Sequence, residues 1–541
     1  MLRDPNGRFV LELNERLGAI TVNTDDGKNF INEEQFKGAL KDFDQKDSLV
    51  NLGLISGRIY IGIDHPQWER LGKGLIRHKI IELFVHQSAI EYIANLFIIS
   101  NFNETASDSI KSKDNVLGLF NIYNNSLVIG SVESRSILSI MVAIWQEQFR
   151  SQSNDLQAFG RAIYLFEDNS DIKIANDKTL GEIFIEKTGL TIEQYLNVGL
   201  ILFAFALTHP SITIADLASE APNFNKVVNN DLMEKYLAIH AGTIDELKAL
   251  DQAQNKDLNP KNTKNRFNPL WVKPMVKTSN TTYIVPSITT YIQALFTGLY
   301  WQFDELFMNE KLGPDIPKTT FRDAFGKQMF ESYVGKVLKD IYGDEAIKPE
   351  ITYSKPEKAF TDWVVVDDDD AYLVEVKAYQ FPFKTLQTGD LELIAKEITK
   401  KLVQNTVTKI NKKVLDIQTA PELAFLKGKN IIPVVVTYNV PLIDTSMYRK
   451  NIPTVVDEES RKAFEAFQGY FMNIGDLEYF GCISELAKLK DVLKAVQDKD
   501  SNFLSEVMKM YKENKLTNKS ISEQKYEEKM DYIQEMIKPV E

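Results

Sequence analysis

Asp362, Glu375 and Lys377 are the residues of this chain whose types and spacing could do chemistry. They lie in or beside two β-branched runs, Phe360 to Val366 and Tyr372 to Ala378, and the acidic stretch Asp367 to Asp370 between the runs reads as a solvated hairpin turn. Two carboxylates and an ammonium on adjacent strands are a set that can hold a divalent ion and hydrolyse a phosphodiester. In Leu373-Val374-Glu375-Val376-Lys377 a period of two puts Leu373, Glu375 and Lys377 on one face and Val374 and Val376 on the other. Burying a carboxylate and an ammonium costs several kcal/mol unless they pair or coordinate a metal. A structural Glu375–Lys377 pair would meet that requirement alone. Asp362 adds a second carboxylate next to Glu375, and like charges side by side call for a cation. Oxygen-only ligation of this kind suits Mg²⁺ or Mn²⁺.

Elements of the right kind surround these residues. Phe325, Met329, Tyr333, Val337 and Ile341 are spaced by four, which predicts a helix over 319–341 with Glu331 off its apolar stripe. Pro349 to Tyr353 reads as a short extra strand, and Ile394, Ile398, Leu402, Ile410 and Val414 predict a helix over 391–415. Ile431 to Tyr438 is apolar throughout, as a strand covered on both faces should be, and a further strand is expected near Tyr470 to Ile474 before a helix capped by Asp476.

In this order, αβββαβ with a mixed sheet, the segment from about Lys318 to Ile474 resembles the restriction-endonuclease-like core of the PD-(D/E)xK nuclease superfamily. Asp362 stands as the motif aspartate and Glu375 and Lys377 as the ExK pair. The resemblance implies a Mg²⁺-dependent endonuclease, a hydrolase in which Asp362, Glu375 and the peptide carbonyl of Val376 hold Mg²⁺ or Mn²⁺. Lys377 would orient or deprotonate the attacking water. It further implies that Glu331 joins the site from the first helix, and that Gln404 with Lys400 or Lys401 is added from the helix after the ExK strand. Thr361 stands where many members carry proline, and Thr408 breaks the QxxxY pattern of the RecB-like branch, so no branch is assigned.

Between positions 396 and 413 six lysines (396, 400, 401, 409, 412 and 413) face the single acidic residue Glu397. Lys400, Lys401 and Lys409 are the nucleic-acid contacts expected from this patch, with DNA expected before RNA, and a solvated helical face is the bland alternative. The net charge of −13 excludes a protein that coats nucleic acid with its whole surface, so any such contact is local.

The chain of 541 residues, 44% hydrophobic and 26% charged, is too long for one core. Residues 1–75 read as an N-terminal α/β element with strands at Phe9 to Leu13, Ala19 to Thr24 and Ile55 to Ile63, and a helix started by Asn32 and Gln35. Residues 76–250 read as a large mainly α-helical regulatory or sensing domain with stretches such as Ile80 to Ile99, Ser136 to Phe149 and Gly181 to Leu207. A polar linker is expected over 251–268, a hairpin and aromatic helix over 269–315, the nuclease-like domain over 316–480, and a solvated or partner-binding helical tail over 481–541. The single Cys482 and the absence of a charged-apolar-small opening segment fit a reducing cytoplasm. Tyr195 to Leu207 is too short for a bilayer, so no membrane partner is expected. His65, His78, His86, His209 and His240 complete no zinc pattern and read as core or surface residues, and no Walker A loop or dinucleotide fingerprint occurs.

Together these features point to a regulated nuclease of the restriction or antiviral-defence type, with nucleic acid as substrate and a homodimer or protein partner engaged through the helical domain. The competing expectation is a catalytically inactive nuclease-like fold serving as a structural or protein-interaction module.

Overall fold

A computed structural model gives the fold, describing residues 37–38, 40–41, 43–61, 87–100, 155–175, 178–220, 228–256, 266–309, 320–353, 358–380, 396–438, 457–499 and 503–537. The chain is mixed α/β and mostly helical. It divides into two compact units, one drawn from Met1–Arg135, Gln194–Gly298 and Met536–Glu541, the other from Ser136–Glu193 and Leu299–Glu535. Composition along the chain does not mark this interleaved division.

The second unit is built on a five-stranded mixed sheet whose strands lie in chain order: β1 (Ile347–Pro349), β2 (Trp363–Asp367), β3 (Asp370–Lys377), β4 (Asn430–Thr437) and β5 (Tyr470–Asn473). The first three form an antiparallel meander, whereas β3, β4 and β5 are parallel. Parallel neighbours need a crossover. Between β3 and β4 it contains the π-helical stretch Ile398–Val407 and α2 (Thr408–Asp416). β3 is central and covered on both faces, so its residues are buried from Asp370 to Val376. The extra strand expected at Pro349 to Tyr353 resolves into β1, which joins the main sheet, and Thr352–Tyr353, which pairs with Lys358–Ala359.

The acidic turn is a two-residue reversal in which Asp368 adopts φ 54°, a left-handed conformation that aspartate tolerates. Lysines surround it. Lys488 Nζ reaches Asp368 Oδ2 at 2.6 Å and Lys490 Nζ reaches Asp370 Oδ2 at 2.6 Å, while Lys429 Nζ donates to the Asp368 carbonyl at 2.6 Å.

A helix running through Thr320–Ala324, the π-helical turn Phe325–Phe330 and α1 (Glu331–Tyr342) packs on the meander. The π turn interrupts the spacing of four, so Phe330, Val334 and Leu338 are buried beside Met329, Tyr333 and Val337, and Ile341 is left half-buried. Gly335 is where α1 meets the sheet: a Cβ there would lie 2.1 Å from Trp363 Cζ2. Trp363 Nε1 also donates to the Glu331 carbonyl at 3.0 Å, which fixes the height of α1 over β2. Gly335→Ala should therefore lower stability by about 3 kcal/mol through overpacking. Chemical denaturation that finds less than about 1 kcal/mol would show that the helix can slide.

After β5 comes α3 (Ile474–Gly481). Asn473, not Asp476, occupies the cap; Asp476 sits in the first turn and its Oδ2 accepts the Asn473 N–H at 3.1 Å. The segment expected as a solvated tail is instead packed into this unit. In Ile521–Ile537, Ser522 is buried, Tyr526 meets Phe159 edge-on at 5.4 Å, and Lys529 pairs with Glu167 at 2.7 Å. Its charged residues had concealed an inner face.

The first unit contains a four-stranded sheet in the order Ser211–Thr213, Thr282–Ile284, Met275–Lys277, Ala241–Thr243. The hairpin expected within 269–315 is present as Met275–Lys277 paired with Thr282–Ile284, although Pro269–Trp271 ahead of it is a 3-10 turn. The strand expected at Ile55 to Ile63 is a correction: Gln45–Ile61 is one helix. Asp44 Oδ1 accepts the Asp47 N–H at 2.7 Å and opens it, and Leu49, Leu52 and Ile55, spaced by three, join a core with Ile90, Ile93 and Phe97 of Gln87–Ile99. The short alternation that suggested a strand is overridden by that packing.

Asp251 to Asn255, assigned above to the linker, are the last turn of Ile244–Asn255. Asp251 is buried and clasped by Arg266 at 2.6 Å. The run Gly181 to Leu207 is also two helices, because Gly189 at φ 72° ends Leu180–Thr188 before Ile192–Ala206 begins. No single helix among the described residues is long and apolar enough to cross a membrane; those two reach the length and apolarity only when taken together across the break. The expected strands at Phe9 to Leu13 and Ala19 to Thr24, the start at Asn32, the helix at Ser136 to Phe149, and His65, His78 and His86 lie outside the described residues.

Candidate active site

The register of β2 on β3 builds the site. Trp363 lies opposite Val374, so continuing the ladder by one residue sets Asp362 opposite Glu375. Asp362 Oδ2 accepts the Val376 N–H at 2.6 Å, a charge-assisted bond that pins the carboxylate to β3. On the same face of β3 as Glu375, Ala371 and Leu373 pack with Ile417, Leu423 and Leu426, so the charged end of this face continues an apolar one.

Glu375 is buried and both of its oxygens are engaged. Lys377 Nζ donates to Oε1 at 2.8 Å and Lys413 Nζ donates to Oε2 at 2.9 Å. Burial by itself would raise the Glu375 pKa, but the two ammonium groups outweigh it and hold the carboxyl below its usual range. Asp362 has the opposite balance. Burial, then the Glu375 charge, push it up to about 6. Glu331, at the start of α1, is half-buried, and burial followed by the Asp362 charge raises it to about 7. Three carboxyl groups thus share a region in which Glu375 is charge-compensated and the other two resist ionising.

Of the residues singled out by sequence, the structure gathers Asp362, Glu375, Val376, Lys377 and Glu331. Gln404 is exposed, as are Lys400 and Lys409, while Lys401 is half-buried with its Nζ 5.2 Å from the centre of the Tyr379 ring. Among the described crossover residues, Lys413 bonds to the Glu375 carboxylate, a place in the site that the sequence reading missed. The cause is local: Gln404 lies in the π-helical stretch Ile398–Val407, where a spacing learned from α-helices no longer tells which residue faces the sheet. The available signal was Ile410, buried and three residues before Lys413 on the α-helical part.

Among the described residues no group of three or more His, Cys, Asp and Glu side chains forms a metal cage. Among the described residues the oxygen donors at the opposed strands are the Asp362 and Glu375 carboxylates and the Val376 peptide, with Glu331 near Asp362. That set fits an ion such as Mg²⁺, which takes one or two carboxylates and keeps several waters, and does not fit an ion that needs a full protein shell. Among the described residues the histidines offer no alternative centre: His240 is in the core, its Nε2 2.8 Å from the Tyr195 hydroxyl, and burial pushes its pKa down to about 3. His209 lies 2.9 Å from the Thr208 hydroxyl through Nδ1.

No protein-family model matches this chain, and neither the curated proteins nor the solved structures yield a match.

Proposed function

We propose that the second unit is a metal-dependent nuclease that hydrolyses phosphodiester bonds of DNA. The observation that carries this reading is the register-opposed pair Asp362 and Glu375, with Lys377 bonded to Glu375 and Glu331 close enough to feel the Asp362 charge, in an αβββαβ arrangement. Asp362, Glu375 and the carbonyl of Val376 would hold Mg²⁺ or Mn²⁺. The ion would supply Lewis-acid polarisation of the phosphate and a more acidic bound water. Lys377 orients the attacking water and offsets the charge that develops on the phosphate. Exposed Lys400, Lys409 and Lys412 offer a cationic approach for the backbone. The remainder of the chain would restrain or direct the cut, by analogy with restriction and antiviral-defence effectors in a cytoplasmic setting.

One observation favours a second reading. Glu375 is fully ion-paired, which is how an inactive nuclease-like fold kept as an interaction module would satisfy it. Cleavage of duplex DNA, single-stranded DNA and RNA by the full chain with Mg²⁺ or Mn²⁺ separates the two. The nuclease reading requires cutting by the wild type and a loss of about a hundredfold or more in Lys377→Ala. An intact substrate panel together with no calorimetric uptake of Mn²⁺ would establish the module instead.

A further inference from the structure

Lys413 has a role that the nuclease reading does not by itself require. Its ammonium and that of Lys377 take both oxygens of Glu375, at 2.9 and 2.8 Å. A divalent ion bound by Glu375 must therefore compete with two cations. The two lysines are not equivalent. Lys377 sits two residues from Glu375 on the same strand and face, so its attachment point is fixed beside the carboxylate. Lys413 reaches in from α2 on a flexible stem, with 16% of its side chain exposed. One helical turn earlier on the same face is the exposed Lys409, and Lys412 beside it is also exposed. A phosphate backbone drawn to that surface would come within reach of the Lys413 ammonium and offer it a second anion.

We infer that Lys413 is a positioning residue that couples ion uptake to substrate: it occupies Glu375 in the resting protein and turns to a backbone phosphate when nucleic acid docks, freeing one carboxylate oxygen for the metal. The inference rests on the proposed nuclease reading and adds to it an order of events, with tight ion binding following nucleic-acid contact. It also makes the resting site a poor metal scavenger, which limits cutting chemistry to molecules already holding substrate.

Mn²⁺ titration calorimetry on the full chain without nucleic acid tests this directly. Lys413→Met should bind Mn²⁺ about tenfold more tightly than the wild type, a change of about 1.4 kcal/mol, because one of two competing cations is gone. Lys413→Gln should do the same, and Lys413→Arg, which keeps the charge, should match the wild type; thermal melting confirms that each variant is folded. A fluorescent DNA duplex supplies the reciprocal measurement: Ca²⁺ should tighten its binding to the wild type, and that gain should shrink in Lys413→Met. Equal Mn²⁺ affinity in wild type, Lys413→Met and Lys413→Gln, with uptake abolished in Glu375→Gln, overturns the coupling and leaves the nuclease reading standing. No uptake by any of these proteins overturns the coupling, and together with an intact substrate panel it overturns the nuclease reading as well.

Discussion

Asp362→Asn is expected to abolish metal-dependent cleavage while making the metal-free protein more stable. The first half follows from the ligand role proposed for Asp362: losing one of two carboxylates would remove several kcal/mol of ion-mediated transition-state stabilisation, roughly a thousandfold in rate. The second half follows from the pKa. The folded state holds the Asp362 proton up to about pH 6, because of burial and the Glu375 charge, whereas an unfolded aspartate releases it near about 3.9. Between those values the folded state binds more protons than the unfolded state, so this group makes stability fall as pH rises across the window and leaves it lowered above pH 6. Asparagine carries no charge, keeps the shape, and can still accept the Val376 N–H. In EDTA at pH 7.5 the variant should gain about 1 kcal/mol, and the gain should shrink towards zero near pH 4. Thermal melts across that range and a cleavage assay measure both halves. A variant that cuts like the wild type, or that melts below it at pH 7.5, would make Asp362 a structural residue.

Arg161→Met is expected to cause the largest loss of stability. Arg161 lies on the helix Asp155–Ala162 and donates two hydrogen bonds to Glu478 of α3, at 2.8 and 3.0 Å. The Glu478 side chain is 0% exposed and also accepts from the Tyr333 hydroxyl at 2.8 Å and the Ser522 hydroxyl at 2.7 Å. Burial alone would weaken the guanidinium's hold on its proton, but the Glu478 charge reverses this and keeps it firmly cationic. Removing the cation strands a buried carboxylate on two neutral hydroxyls, which costs about 3–5 kcal/mol. The double variant Arg161→Met with Glu478→Met should recover most of the loss, since the uncompensated charge is then absent. Urea midpoints for the two single variants and the double variant decide the matter. A drop below about 1 kcal/mol in Arg161→Met would mean that water reaches Glu478. The same knot bears on the site. Tyr333 lies two residues after Glu331 on α1, so loosening it frees the helix that presents Glu331 to Asp362.

The chain alone determined what depends on neighbours along it. A period of two in Leu373 to Lys377 set the shared face of Glu375 and Lys377, and an acidic turn of fixed length brought Asp362 opposite Glu375. The order of helices and strands around them was legible for the same reason, since each element buries one periodic face. Tertiary structure decided which face meets which partner. It placed Lys413 on Glu375 through a π-helical stretch, made Gln45–Ile61 a helix where a short alternation had suggested a strand, and drew the charged residues near the C-terminus onto Phe159 and Glu167. It also joined Arg161 to Glu478, 317 positions apart. Pairings of that kind leave no periodic trace, because burial and charge compensation act between surfaces that meet only after the chain has folded.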